Sequence, residues 1–177
     1  KLSSDRNGFL QRGLNYAQLR AHLKSILPKR VLIFHHFDQR GFLPHSWLEA
    51  LICLQNDDWL VLFSTSFLQP DTASLLEESG ILIATRLNFG LCVGAYRDLS
   101  LLLYSSKEVR CSLRSLVCMN DSNLLIQSPQ TLIRILKDWV AEEEVETTPV
   151  LAGLTDSTQR ESYHLQSFLF YANHSLL

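Results

Sequence analysis

At 177 residues, with 46% hydrophobic, 19% charged and 10% aromatic side chains, the chain has the balance of an ordinary globular protein and the length of one domain with a sizeable core. Its 16 basic and 18 acidic residues leave a net charge of −2 with neither sign gathered into a block, which excludes the basic footprint that nucleic-acid binding requires. The longest purely apolar runs, such as Ile81 to Ala84, fall far short of the roughly 20 residues that span a bilayer, so no transmembrane segment is expected.

The chain opens on Lys1 with no secretory pattern behind it, and the expectation is a cytoplasmic piece of something longer. Residues 1–29 read as an N-terminal helical segment and 30–177 as a single globular unit. The helix runs from Asn15 to Leu27, with Leu19, Leu23 and Ile26 on one face. "RVLIFHHF" then gives a continuous apolar run of strand length, suited to a strand covered on both sides. "HSWLEALICLQ" changes period: Ser46 and Glu49 form a capping box, and Trp47, Leu48, Leu51 and Ile52 make a helical stripe. "WLVLFSTS" is a second buried strand. "PDTASLLEESG" brackets a short helix between Asp71 or Thr72 as N-cap and Gly80 just past the end.

"ILIATR" supplies the third strand, and "GAYRDLSLLLYS" places Ala95, Tyr96, Leu99, Leu102 and Leu103 at helical intervals. "SLVCMN" is the fourth strand. Ser128-Pro129 opens another helix, with Leu132, Ile133, Leu136, Trp139 and Val140 as its apolar face and "AEEEVETT" as its solvated end. "PVLAGLT" and "LQSFLFY" are two last strands. Strand alternating with helix predicts an α/β fold with a mostly parallel, Rossmann-like sheet flanked by helices. Four cysteines, Cys53, Cys92, Cys111 and Cys118, lack the spacing of a zinc site and read as reduced thiols, three of them core.

Ligands of such a sheet bind where its strands end. The five exits read His36-Phe37-Asp38, Ser64-Thr65-Ser66, Arg86 with Asn88, Asn120-Asp121-Ser122 and Thr155-Asp156-Ser157. A phosphorylated ligand fits this edge. Arg86 offers paired hydrogen bonds to a diphosphate, Gly90 and Gly94 let backbone N–H groups approach, and the helix beginning near Gly94 aims its positive end at phosphate. Asp121 offers a carboxylate to a magnesium or manganese ion shared with the diphosphate. The plainer readings stand beside these: Arg86 as an ion-pair partner, the glycines as a turn, Asp121 as a strand-exit cap. His35 and His36 read as one core and one site-facing histidine, and His164 is open in the same way.

"TRLNFGLCVGAYRDL" (85–99), "VCMNDSN" (117–123) and "GLTDSTQRESYHLQSFLFY" (153–171), preceded by "FHHFD" (34–38), resemble the rhamnan synthesis protein F family over residues 30–171. The resemblance implies a GT-A-like glycosyltransferase of bacterial cell-surface polysaccharide assembly, metal-dependent and bound to a nucleoside-diphosphate sugar. In the family pattern Arg86, Asn88, Gly90 and Gly94 match, while Cys92 stands where an Asp is expected. The residues carried forward as donor-binding are His36, Asp38, Ser64, Arg86, Asn88, Gly90, Gly94 and Asn120, with Asp121 as metal ligand. The resemblance makes Asp156 the general base on an acceptor hydroxyl, with His164 as the alternative. The expected activity is transfer of a sugar, rhamnose among the candidates, to a polysaccharide or lipid-linked glycan, in the cytoplasm or at the inner membrane face. The alternatives are a catalytically silent nucleotide- or carbohydrate-binding relative and a structural or interaction domain.

Overall fold

The computed structural model describes residues 13–122, 129–143, 148–153, 156–157, 164–165 and 169–176. Six strands form one mixed sheet in the order β3 (Leu82–Thr85), β2 (Leu60–Thr65), β1 (Arg30–His35), β4 (Ser115–Asn120), β8 (Leu169–Asn173) and β5 (Leu151–Gly153). The pairs β1–β2, β1–β4 and β2–β3 are parallel. The expected parallel arrangement therefore holds for four strands and ends at β4, because β8 runs antiparallel to both β4 and β5. Parallel neighbours need a long crossover, usually a helix. Between β5 and β8 lies instead a two-stranded antiparallel ribbon, β6 (Asp156–Ser157) with β7 (His164–Leu165).

Alternation of side chains along each strand divides the core in two. Leu32 and Phe34 of β1 point to one face with Val61, Phe63, Val117 and Met119, covered by α2 (His45–Asn56), α3 (Pro70–Glu78) and α6 (Pro129–Glu143) through Trp47, Leu51, Leu76 and Leu136. Val31 and Ile33 point to the other with Leu62, Leu116 and Cys118, covered by α1 (Tyr16–Ile26), α4 (Leu91–Tyr104) and α5 (Lys107–Ser112) through Leu19, Leu23, Leu99, Leu103 and Val109. Residues 31–34 are wholly buried, as a strand between two helical layers must be. Each large side chain of this kind contributes about 1.5–3 kcal/mol by leaving water.

Local signals are realised with corrections. The Ser46–Glu49 capping box does not form; Pro44 holds the cap position, so α2 starts two residues earlier, and Glu49 pairs with His45 at 3.2 Å. In α3, Pro70 takes the first helical position after Gln69, which leaves Asp71 in the first turn instead of at the cap. Gly80 adopts φ +80° just past that helix, as its position predicts. Ser128 lies outside the described residues. The short helix α5 was not anticipated, and it carries Cys111 on its exposed side; of the four cysteines only Cys118 is buried.

Candidate functional site

The chain runs β1, β2, β3 outward in one direction and then returns to place β4 on the other side of β1. Such a reversal leaves a crevice beyond the carboxyl ends of the two strands that flank it. Here His35 is level with Asn120, so the residues leaving the sheet at the crevice are His36-Phe37 and Asp121-Ser122. Asp121 spans the gap. Its amide donates to His35 O at 3.1 Å, and its Oδ2 accepts from the amide of Phe37 at 2.8 Å. The carboxylate is thus fixed at the mouth of the crevice, with its residue half-buried. Asn120 is buried beside it; its Oδ1 accepts from Ser122 N at 3.1 Å, and its side chain hydrogen-bonds Tyr96. Burial pushes the Tyr96 phenol well above its ordinary value, so it stays protonated.

The exit of β3 is built differently. Arg86 turns inward: its Nη2 donates to Phe89 O at 2.6 Å and to Asp98 Oδ2 at 3.3 Å, with the Arg86 side chain fully covered and that of Asp98 2% exposed. Asp98 also meets Arg97 at 3.4 Å. The guanidinium reaches a ligand only by leaving Asp98. Gly90 sits at φ +74° in the cap position of α4, whose first residue, Leu91, comes three residues before the predicted start at Gly94. Gly94 lies in the first turn, where a Cβ would collide with Phe89 O and crowd Arg86 Nη2. The arginine and both glycines therefore close one compact joint between β3 and α4. Cys92 is half-buried in the same turn.

Both histidines are covered, so the expectation of one facing the site is not met. His35 Nδ1 lies 3.3 Å from Ser64 Oγ, itself wholly buried, and the ring also bonds the Asn88 side chain. Burial, with the neighbouring Arg86 and His36, lowers its pKa to about 4. His36 Nε2 donates to Phe42 O at 2.9 Å and its Nδ1 pairs with Thr65 Oγ1 at 3.0 Å, while the ring stacks on Phe63. It is a strut for the loop after β1. Asp38 is half-buried, and N–H donation from Phe42 and Arg40 holds its carboxyl below the usual range.

Asp156 and His164 fall in the β6–β7 ribbon, where Asp156 is paired with Leu165 and Ser157 with His164. Their side chains lie outside the described part of the structure. Of the predicted residues, Asn120 and Asp121 come together at the crevice and Ser64, Asn88 and Arg86 gather around the unpredicted His35 in the layer beneath, whereas His36 and Asp38 brace the loop after β1 and Gly90 and Gly94 belong to the β3–α4 joint. Sequence reasoning missed Asp98, although a signal existed: a carboxylate amid the apolar positions Ala95, Leu99 and Leu102 of one helix. It also missed the apolar exposure on this edge, where Phe37 and Phe42 follow β1, Phe67 follows β2, and Leu87 and Phe89 follow β3.

Among the described residues no group of three or more His, Cys, Asp or Glu side chains is placed to hold a metal ion. The donor set at the crevice is one carboxylate, with Oδ2 already accepting from Phe37. That set fits magnesium or manganese as a partner of a bound diphosphate, since these ions take one or two carboxylates and complete their shell with phosphate oxygens and water. No family model, curated protein or solved structure matches the chain.

Proposed function

We propose that this chain is a GT-A-like glycosyltransferase domain that binds a nucleoside-diphosphate sugar at the β1/β4 crevice and passes the sugar to a polysaccharide or lipid-linked glycan. The observation that carries the reading is Asp121, a carboxylate pinned across the switch point of the sheet by Phe37 N–H. The sheet order supports it, because diphosphates settle at such crevices. So do the motifs 85–99, 117–123 and 153–171, which resemble one polysaccharide-synthesis family. In this reading Asp121 holds the divalent cation against the diphosphate, and the ion offsets the charge of the departing nucleoside diphosphate. Asp156, or His164, takes the acceptor proton. In this reading the domain works at the cytoplasmic face of a membrane; among the described residues no helix is long and apolar enough to cross one.

A second reading is a silent relative that binds without transferring. The burial of Arg86 against Asp98 favours it, as does Cys92 in place of a carboxylate. Thermal melting with UDP, GDP and dTDP, with and without manganese, tests the donor site. Metal-dependent stabilisation by one of them, lost in Asp121→Asn, is expected; no shift with any nucleotide overturns the proposal. Donor hydrolysis or transfer, measured on the wild type and on Cys92→Asp, separates the two readings.

A further inference from the structure

The loop after β1 is fixed more firmly than a surface connection needs. Asp38 Oδ1 accepts from Arg40 N and Phe42 N at 2.7 and 3.1 Å, and Gly41 N donates to Asp38 O at 3.1 Å. From outside the loop, His36 Nε2 holds Phe42 O, Gln69 N holds Gly41 O and Gln69 Nε2 reaches Arg40 O. Gly41 sits at φ +67°, and a Cβ there would lie 2.8 Å from both Gln69 N and Phe67 Cδ1. Yet the rings that this loop carries are left in water, Phe37 being 48% and Phe42 55% exposed. Ordering a backbone around solvated phenylalanines costs free energy in the free protein, and a ligand that covered the rings would bind to a surface already set in place.

Phe37 and Phe42, with Asp38, Gln39, Arg40 and Gln69, line a cleft of about 690 Å³ that is open to solvent. That volume falls within the range of about 300–1,000 Å³ typical of ligand sites. A phenyl face is the negative side of the ring quadrupole and attracts polarised C–H groups, which pyranose rings present on one face. The remaining lining is one carboxylate, two amides and a guanidinium. Side by side, these acceptors and donors match neighbouring hydroxyls, each of which both gives and takes a hydrogen bond. A discrete nucleotide is held best with most of its surface buried; an open cleft suits a unit of a chain that enters and leaves.

We infer that the cleft walled by Phe37 and Phe42 is a saccharide-binding site, which takes pyranose units of a glycan by C–H contact with the rings and by hydroxyl contacts with its polar lining. Its position puts the glycan beside the β1/β4 crevice, because Phe37 is the residue whose amide Asp121 holds. The inference goes beyond the donor reading and does not rest on it.

Calorimetric titration tests it, using tetrasaccharides built of glucose, galactose, mannose or rhamnose, with UMP and UDP as a nucleotide arm. At least one tetrasaccharide binds the wild type. Phe37→Ala and Phe42→Ala each weaken it about fivefold or more, the effect of one lost ring contact, at unchanged melting temperature. Phe42→Trp retains binding, and Arg40→Gln, an exposed change that leaves the rings in place, weakens it without abolishing it. Absence of binding by every tetrasaccharide, indifference to both alanine substitutions, or loss of nucleotide instead of glycan in Phe42→Ala overturns the inference. Failure of the manganese-dependent nucleotide shift would sink the donor reading alone, since the glycan titrations need neither metal nor nucleotide.

Discussion

Two exits of one sheet handle charge in opposite ways. At β3, Arg86 is drawn under the backbone and matched with Asp98, both side chains almost wholly out of water. At β4, Asp121 stays at the surface of a crevice, held by a single N–H of the neighbouring exit. A sequence pattern scores both as polar residues ending strands. The difference between them lies in the partner. A charge with a buried counter-charge sustains the fold, whereas one held by a backbone amide alone is oriented and still able to meet a ligand.

The largest expected effect tests the sealed exit. Asp98→Ala leaves the Arg86 guanidinium buried without its main counter-charge and should cost about 3–5 kcal/mol in urea unfolding. The double change Arg86→Met with Asp98→Leu should recover most of that. A loss for Asp98→Ala no larger than that of an exposed ion pair would make the two exits alike after all.

His35 beneath the crevice comes next. Its folded pKa of about 4 lies below the ordinary histidine value of 6.5, so the unfolded chain binds the extra proton between those limits. Stability should therefore fall as pH drops from 6.5 towards 4, by on the order of 3 kcal/mol in all. His35→Gln should flatten that part of the profile; an unchanged slope would place the titrating group elsewhere.

Gly94→Ala should destabilise by about 1–3 kcal/mol through overpacking against Phe89 O and Arg86. A neutral result would show that the β3 joint yields easily. Asp121→Asn should have the smallest effect on stability, under about 1 kcal/mol, because the amide oxygen still accepts from Phe37 N–H. The same variant should nevertheless abolish manganese-dependent binding of nucleotide. A large loss of stability there would make Asp121 a structural residue like Arg86.

Much of the fold was legible. The continuous apolar runs of β1, β2 and β4 and the helical stripes between them have the periods of a layered α/β protein, and Gly80 marked a helix end correctly. The antiparallel insertion of β8 was not legible, because a short apolar run carries no sign of its direction. Nor was α5, whose six residues offer too little of a pattern to detect. Asp121 was picked out by its place after an apolar run, and it does stand at the exit of β4. The fate of Arg86 was hidden, since it depends on Asp98, twelve residues along and on the inner face of a helix. Burial of both histidines was foreshadowed only by the apolar residues before them.

The placement of β8 also bears on how the molecule is made. This strand, late in the chain, is slotted between β4 and β5, both synthesised earlier, and delivers Leu169 and Tyr171 to the interior. Until it emerges from the ribosome, β4 has one unprotected margin whose amides and carbonyls invite a stranger. Completion of this sheet therefore waits on long-range closure, which is slow by nature, and the nascent chain is most vulnerable to misassociation in the interval before residue 169 is free to dock.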